Sequence, residues 1–251
     1  MPNHVTNIMT VKGPEESVAK LKAVWFRHQA PDGKTNPDLP DMCVDFNGIL
    51  PMPDSLNIDC GSMSSWAEDW LNLKDDWRLS SEEMEKKLIT RRLKEHFSDY
   101  VDWENDTVGR LKEVVAGEPS LLSKIGLTKQ YLKKIQHNLN IYGCPTWYEW
   151  CNRYWGTKWN AYHQYLSEWS DTSFCISFDT AWSPPEPVFA ALADTFPDVE
   201  MEVLYIDEGG GFAGTYTASD GLLEDSPCDD DDFRSFAEEH FGWTFDGDDD
   251  E

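Results

Sequence analysis

Ser173-Phe-Cys-Ile-Ser-Phe-Asp-Thr-Ala-Trp182 is the stretch that decides the fold. Phe174, Ile176 and Phe178 alternate with small or polar residues, so one side is apolar at a period of two, as in a half-buried strand. Prolines crowd the next segment, where Ser183 is a candidate helix N-cap and Phe189, Leu192 and Phe196 share a helical face. Val199-Glu-Met-Glu-Val-Leu-Tyr-Ile206 alternates cleanly and predicts the following strand. Together these make a β-α-β unit. The Gly209-Gly-Gly211 turn leads into Phe212-Ala-Gly-Thr-Tyr216, which predicts a further strand pairing back as a hairpin.

A matching unit opens the chain. His4-Val-Thr-Asn-Ile-Met-Thr-Val11 is alternating and β-branched, and Gly13 ends it. Pro14-Glu15-Glu16 opens a helix, with proline in the first turn and carboxylates at the positive end of the dipole. Val18, Leu21 and Trp25 lie on its apolar face. After a polar loop from Pro31 to Asp41, Cys43-Val-Asp-Phe46 predicts a second strand running into Ile49-Leu-Pro-Met-Pro53. Two β-α-β units predict an α+β fold of ferredoxin-like split βαβ type, an antiparallel sheet with helices on one face.

Between the units, residues 62–170 read as helical. Ser80-Ser-Glu-Glu83 has the pattern of a capping box, followed by Ile89, Leu93 and Phe97. Further stripes are Leu132/Ile135/Leu139, Trp147/Trp150/Tyr154 and Trp159/Tyr162/Leu166/Trp169. The expected organisation is a first βαβ half at 1–61, a long helical insertion at 62–170, a second βαβ half with its hairpin strand at 171–221, and an acidic C-terminal extension at 222–251. In the extension, Asp229-Asp-Asp-Asp232 precedes a short helix bearing Phe233, Phe236 and Phe241, and Asp246–Glu251 is a low-complexity acidic end.

Charge separates the two ends of the chain. The protein has 251 residues and a formal net charge of −26. Residues 198–251 carry 19 acidic residues and one base, Arg234, whereas residues 1–197 carry 28 acids and 20 bases. Such a charge repels nucleic acid and anionic membranes and attracts basic surfaces. There is no basic-plus-apolar leader at Met1 and no run long enough to span a membrane, and the six cysteines are scattered. Reduced thiols and a cytoplasmic location, in a bacterial host, are the expectation.

Met1-Pro-Asn-His-Val-Thr-Asn7, Ile49-Leu-Pro-Met-Pro53, Trp155-Gly-Thr-Lys-Trp159, Phe178-Asp-Thr-Ala-Trp-Ser-Pro-Pro185 and Asp207-Glu-Gly-Gly-Gly-Phe-Ala-Gly214 resemble, in this order, blocks of the YubB-type ferredoxin-like proteins of phages and conjugative plasmids. The resemblance runs to about residue 216 and leaves most of 62–145 and the end after 221 unmatched. It implies a ferredoxin-like domain encoded by a mobile element, and it brings no catalytic residues.

Chemical motifs are scarce. Gly209–Gly214 satisfies G-x-G-x-x-G, but a strand follows where the dinucleotide fingerprint requires a helix, and Asp207 and Glu208 would repel phosphate. Cys144, Cys151, His137 and His163 lack zinc-site spacing, so no metal or cofactor is expected. Trp155, Lys158 and Trp159 form a candidate recognition patch, against the alternative that the two indoles are core.

The functional expectation is a non-catalytic accessory protein that binds a protein with a basic surface. It would act as a nucleic-acid-mimicking inhibitor of a host nucleic-acid-processing or defence enzyme. The carboxylates to carry it are Asp207, Glu208, Glu224, Asp225, Asp229, Asp230, Asp231, Asp232, Glu238 and Glu239. One alternative is a nucleic-acid-binding module using the sheet together with Lys86, Lys87, Arg91, Arg92, Lys94, Lys129, Lys133 and Lys134. Another is an enzyme in which His4, Asp179, Asp207 and Glu208 converge from strand ends.

Overall fold

A computed structural model describes residues 3–28 and 36–245. The acidic end at Asp246–Glu251, Met1-Pro2 and the first half of the Pro31–Asp41 loop lie outside the described residues. The elements run β1 (His4–Lys12), α1 (Glu15–Trp25), β2 (Phe26–His28), β3 (Met42–Val44), α2 (Ser62–Asn72), α3 (Glu82–Glu85), α4 (Thr90–Phe97), α5 (Val108–Gly117) and α6 (Ser120–Ser123). They continue with α7 (Lys129–Tyr142), α8 (Trp147–Tyr154), β4 (Tyr162–Trp169), β5 (Ser173–Ala181), α9 (Glu186–Thr195), β6 (Glu200–Asp207), β7 (Ala213–Ser219), β8 (Leu222–Pro227) and α10 (Phe233–Phe241). The chain divides into two compact units, one of residues 1–51 with 151–251 and one of residues 52–150.

The first unit holds a six-stranded antiparallel sheet in the order β4-β5-β1-β6-β7-β8. Val5, Asn7, Met9 and Val11 of β1 point to its inner face and are fully buried. That face carries α1 and α9: the Trp25 ring packs on Phe174 and Phe178, and the Phe189 ring on Phe178 and Tyr216. Lys22 of α1 closes the β4–β5 hairpin, donating from Nζ to the carbonyls of Ser170 and Ser173 over the Trp169 ring, 4.0 Å away. Burial lowers its pKa, against the opposing pull of Asp171 and Glu168. On the opposite face, α10 sets Ala237, Phe233, Phe236 and Phe241 against Ile206 and Ala213.

Three elements differ from the sequence expectation. Tyr162–Trp169 is a strand, although Tyr162, Leu166 and Trp169 have helical spacing. Its pairing with β5 shifts register between Tyr162 and Tyr165 and again between Leu166 and Glu168. Each bulge inserts a residue, so the period-two pattern is lost from the sequence while strand pairing persists. Cys43 does lie in a strand, but β3 pairs with β2 in a separate two-stranded sheet rather than joining the main one. There Gln164 of β4 accepts from the Val44 N–H (2.7 Å) and donates to its carbonyl (3.1 Å). The helix predicted after Ser183 starts at Glu186 with Pro185 in the cap position, and the Ser183 hydroxyl donates instead to the Gly156 carbonyl.

The second unit is helical around its own core of Trp70, Leu79, Met84, Ile89, Leu93, Phe97, Leu111 and Ile135. Ser81, one residue after the expected cap, accepts from the Met84 N–H at the start of α3. The basic residues here are mostly engaged locally. Lys86 pairs with Glu82 (2.6 Å), Lys87 with Asp69 (3.4 Å), Arg91 and Arg92 with Glu95 (2.8 and 3.4 Å), and Lys94 lies over Trp103.

Candidate functional site

The open face of the sheet gathers a polar cluster at the start of β1. Thr6 lies opposite Asp179 on β5, and Asp179 lies opposite Tyr162 on β4, so the three side chains form one row across three strands. His4 stands two residues earlier on the same side of β1. His163 would point inward by simple alternation, but it occupies the bulge after Tyr162 at φ 49°, which turns its ring to the open side. There His163 Nδ1 lies 3.0 Å from Asp179 Oδ2, while Thr6 Oγ1 donates to Asp179 Oδ1 at 2.9 Å. The His4 and His163 rings stack with centroids 6.0 Å apart.

Tyr162 supports this cluster from below. Its hydroxyl lies 2.7 Å from His4 Nδ1 and donates to the Thr180 carbonyl at 3.3 Å. Burial, reinforced by the Asp179 charge, pushes the phenol up to about 12, so it stays protonated. The phenol has one proton. When that proton goes to the Thr180 carbonyl, the His4–Tyr162 bond takes its hydrogen from His4 Nδ1, and in that tautomer the Nε2 lone pair is available. Glu208 accepts the His4 backbone N–H at 2.7 Å, and the Glu208 N–H donates to the His4 carbonyl at 2.9 Å.

Of the four strand-end groups expected to converge, His4 and Asp179 do so and Glu208 binds the His4 backbone. Asp207 does not join them. It is buried, accepting from the Gly211 N–H (3.1 Å) and from Asn3 Nδ2 (3.3 Å), so it holds the β6–β7 turn and presents no surface to a partner. The glycine stretch is a hairpin turn, with Gly210 at φ 71°. Trp155 is also interior: it is 4% exposed, donates from Nε1 to the Leu50 carbonyl and packs edge-on to Phe46. Lys158 and Trp159 are half-buried; Lys158 Nζ lies 4.5 Å from the Trp159 ring and 4.9 Å from that of Trp182, which is exposed. Residue patterning had not singled out Tyr162 or Trp182 as site groups and had set His163 aside with Cys144, Cys151 and His137; the positive φ of His163 and Trp182 and the bulge after Tyr162 leave no spacing signature.

A second feature lies at the β6–β7 turn. A cleft of about 520 Å³ is lined by Tyr205, Phe212, Tyr216, Phe233, Pro184, Pro227 and Asp230, among others. The Tyr205 and Tyr216 rings lie 4.9 Å apart, and Tyr205 donates its hydroxyl to Asp225 at 2.9 Å. Burial, with Asp225 next, raises both phenols. Glu224 and Asp225 on β8, Asp229–Asp232 before α10, and Glu238 and Glu239 on it are all exposed. Among the described residues none of these eight carboxylates is in an ion pair. Two of the thiols are held in the protonated form: burial pushes Cys151 up to about 12, and burial followed by Asp232, Asp229 and Asp230 raises Cys228.

These features define an α+β protein with an antiparallel sheet, and residues 154–246 match the family described as a ferredoxin-like domain in Api92-like protein. A particular solved structure, a protein api92 from Yersinia pseudotuberculosis, is similar over 91% of this chain and 99% of that one, at 14% identity and a TM-score of 0.41. That loose a likeness carries no argument about function. No curated protein matches significantly in sequence. No helix among the described residues is long and apolar enough to cross a membrane.

Proposed function

We propose that the protein is a binding module whose acidic end captures a basic polypeptide segment. In this reading β1, α1, β4, β5, α9 and β6 form a split βαβ sheet of ferredoxin-like type, and β7, β8 and α10 extend it to build the acidic surface. Support for the sheet comes from its order, in which β1 lies between β5 and β6. The observation that carries the binding proposal is the aromatic cleft bordered by carboxylates without described counter-ions. An arginine or lysine side chain entering over Tyr205, Tyr216 and Phe212 would meet ring faces first and Asp225 and Asp230 beyond them. The wider field of Asp229–Asp232, Glu238 and Glu239 would steer it inward.

The blocks resembling YubB-type proteins extend this to an accessory role for a phage or plasmid, with carboxylates occupying a groove that a host enzyme uses for phosphates. The direct test is fluorescence anisotropy with a labelled arginine-rich peptide and a neutral peptide of equal length, at low and high salt. The arginine-rich peptide binds and weakens steeply with salt. Replacing Asp229–Asp232 by asparagine loses at least about tenfold in affinity, the effect of removing several steering charges near the site. Equal binding by that variant, or by the neutral peptide, sinks the proposal. A gel shift with single- and double-stranded DNA checks the nucleic-acid alternative and gives no complex.

A further inference from the structure

We infer that His4, His163 and Asp179 form a binding site for one divalent transition-metal ion of the zinc type. Each offers a ligand atom, and the three atoms lie within 4.8 Å of one another. Among the described residues they are the one such set of three. Tetrahedral donors about 2.0–2.1 Å from zinc sit roughly 3.3 Å apart, so modest side-chain rotation closes the site. His163 is exposed, which leaves its ring free to make that adjustment.

The donor set suits the ion. Two imidazoles and a carboxylate are of intermediate softness, preferred by zinc, cobalt(II) and nickel(II) over calcium or magnesium. The groups behind the donors are also in place. Thr6 Oγ1 fixes one oxygen of Asp179 and leaves the other toward His163. The Tyr162 hydroxyl anchors His4 Nδ1 at 2.7 Å, and in the tautomer that donates there His4 keeps its Nε2 lone pair for the ion. Such outer contacts orient ligands in metal sites generally. Glu208, anchored to the His4 backbone, adds a negative charge nearby. Three protein ligands leave a fourth position for water or for a donor from a bound molecule. The site is separate in its residues from the acidic cleft, and it does not depend on the partner proposed for that surface.

Titrating the full-length protein with Co2+ and then displacing it with Zn2+ tests the inference. One equivalent of Co2+ gives weak visible bands of nitrogen and oxygen ligation, and Zn2+ abolishes them. His163→Ala and Asp179→Asn each lower affinity at least tenfold with unchanged circular dichroism, and Tyr162→Phe lowers it less. Replacing Asp229 and Asp231 by asparagine leaves stoichiometry and spectrum as they were. Failure to bind one equivalent overturns the site, as does binding that survives both His163→Ala and Asp179→Asn. So does an intense thiolate charge-transfer band, which would place the ion on a cysteine such as the exposed Cys60.

Discussion

Glu68, on α2 in the helical unit, shows how one carboxylate can work against its own fold. Burial first, then the charges of Glu149 and Asp69, raises its pKa above the ordinary 4.5, with Lys87 opposing. The folded state therefore holds the proton more tightly than the unfolded chain. That contribution is fully present below pH 4.5 and is lost as pH rises through the raised folded value. Glu68→Gln should consequently raise the melting temperature at pH 7 by about 1–2 °C, modest because the side chain is partly solvated. The gain should vanish in melts at pH 4. The candidate metal cluster shows the limit of single-residue reading. His4 and Asp179 were legible as strand-end groups, but the turned ring of His163 depends on a backbone bulge that no local spacing rule encodes.

At the level of elements, α10 is held mainly by a small apolar contact, Ala237 and its neighbouring phenylalanines on Ile206 and Ala213. Its outer face is acidic and contributes little to docking. Ala237→Asp places a charge in that contact and should release the helix while the sheet stays paired. Hydrogen exchange would then show lost protection in 233–241 with β6 and β7 unchanged, and a melting temperature lowered by only about 2–4 °C. Strand legibility followed burial. β1, β5, β6 and β7 each have an apolar side against a helix or its edge, and their alternation is plain in the sequence. β8 escaped notice because it is an edge strand, exposed at five of six positions, where pairing is by backbone and carries no hydrophobic pattern. The short strand β2 is too brief to establish a period, and β3 was legible as a strand but not in its partner.

For the whole molecule, the division into two units has a direct consequence. Residues 52–150 bring their own buried core, and their hydrogen bonds include Asn138 Nδ2 to the Ser55 and Pro145 carbonyls (2.8 and 3.1 Å). Expressed alone, this segment should give a helical spectrum and a cooperative melt; a non-cooperative melt would show that its core is insufficient. The uneven acidity that separates residues 198–251 from the rest was fully legible in the composition. What composition did not reveal is that one of the acids, Asp207, is interior, because charge counts carry no information on turn geometry.

The position of β1 inside the sheet also sets a timetable. Both its partners, β5 and β6, come from the last third of the chain, with Lys12 opposite Ser173 on one side and Glu200 on the other. At a synthesis rate of about 5–20 residues per second, the first strand emerges from the ribosome roughly ten to forty seconds before its last partner exists. During that interval the helical segment can fold while Val5, Met9 and Val11 remain without a mate. The order of the strands along the chain thus makes completion of the sheet a late event of synthesis.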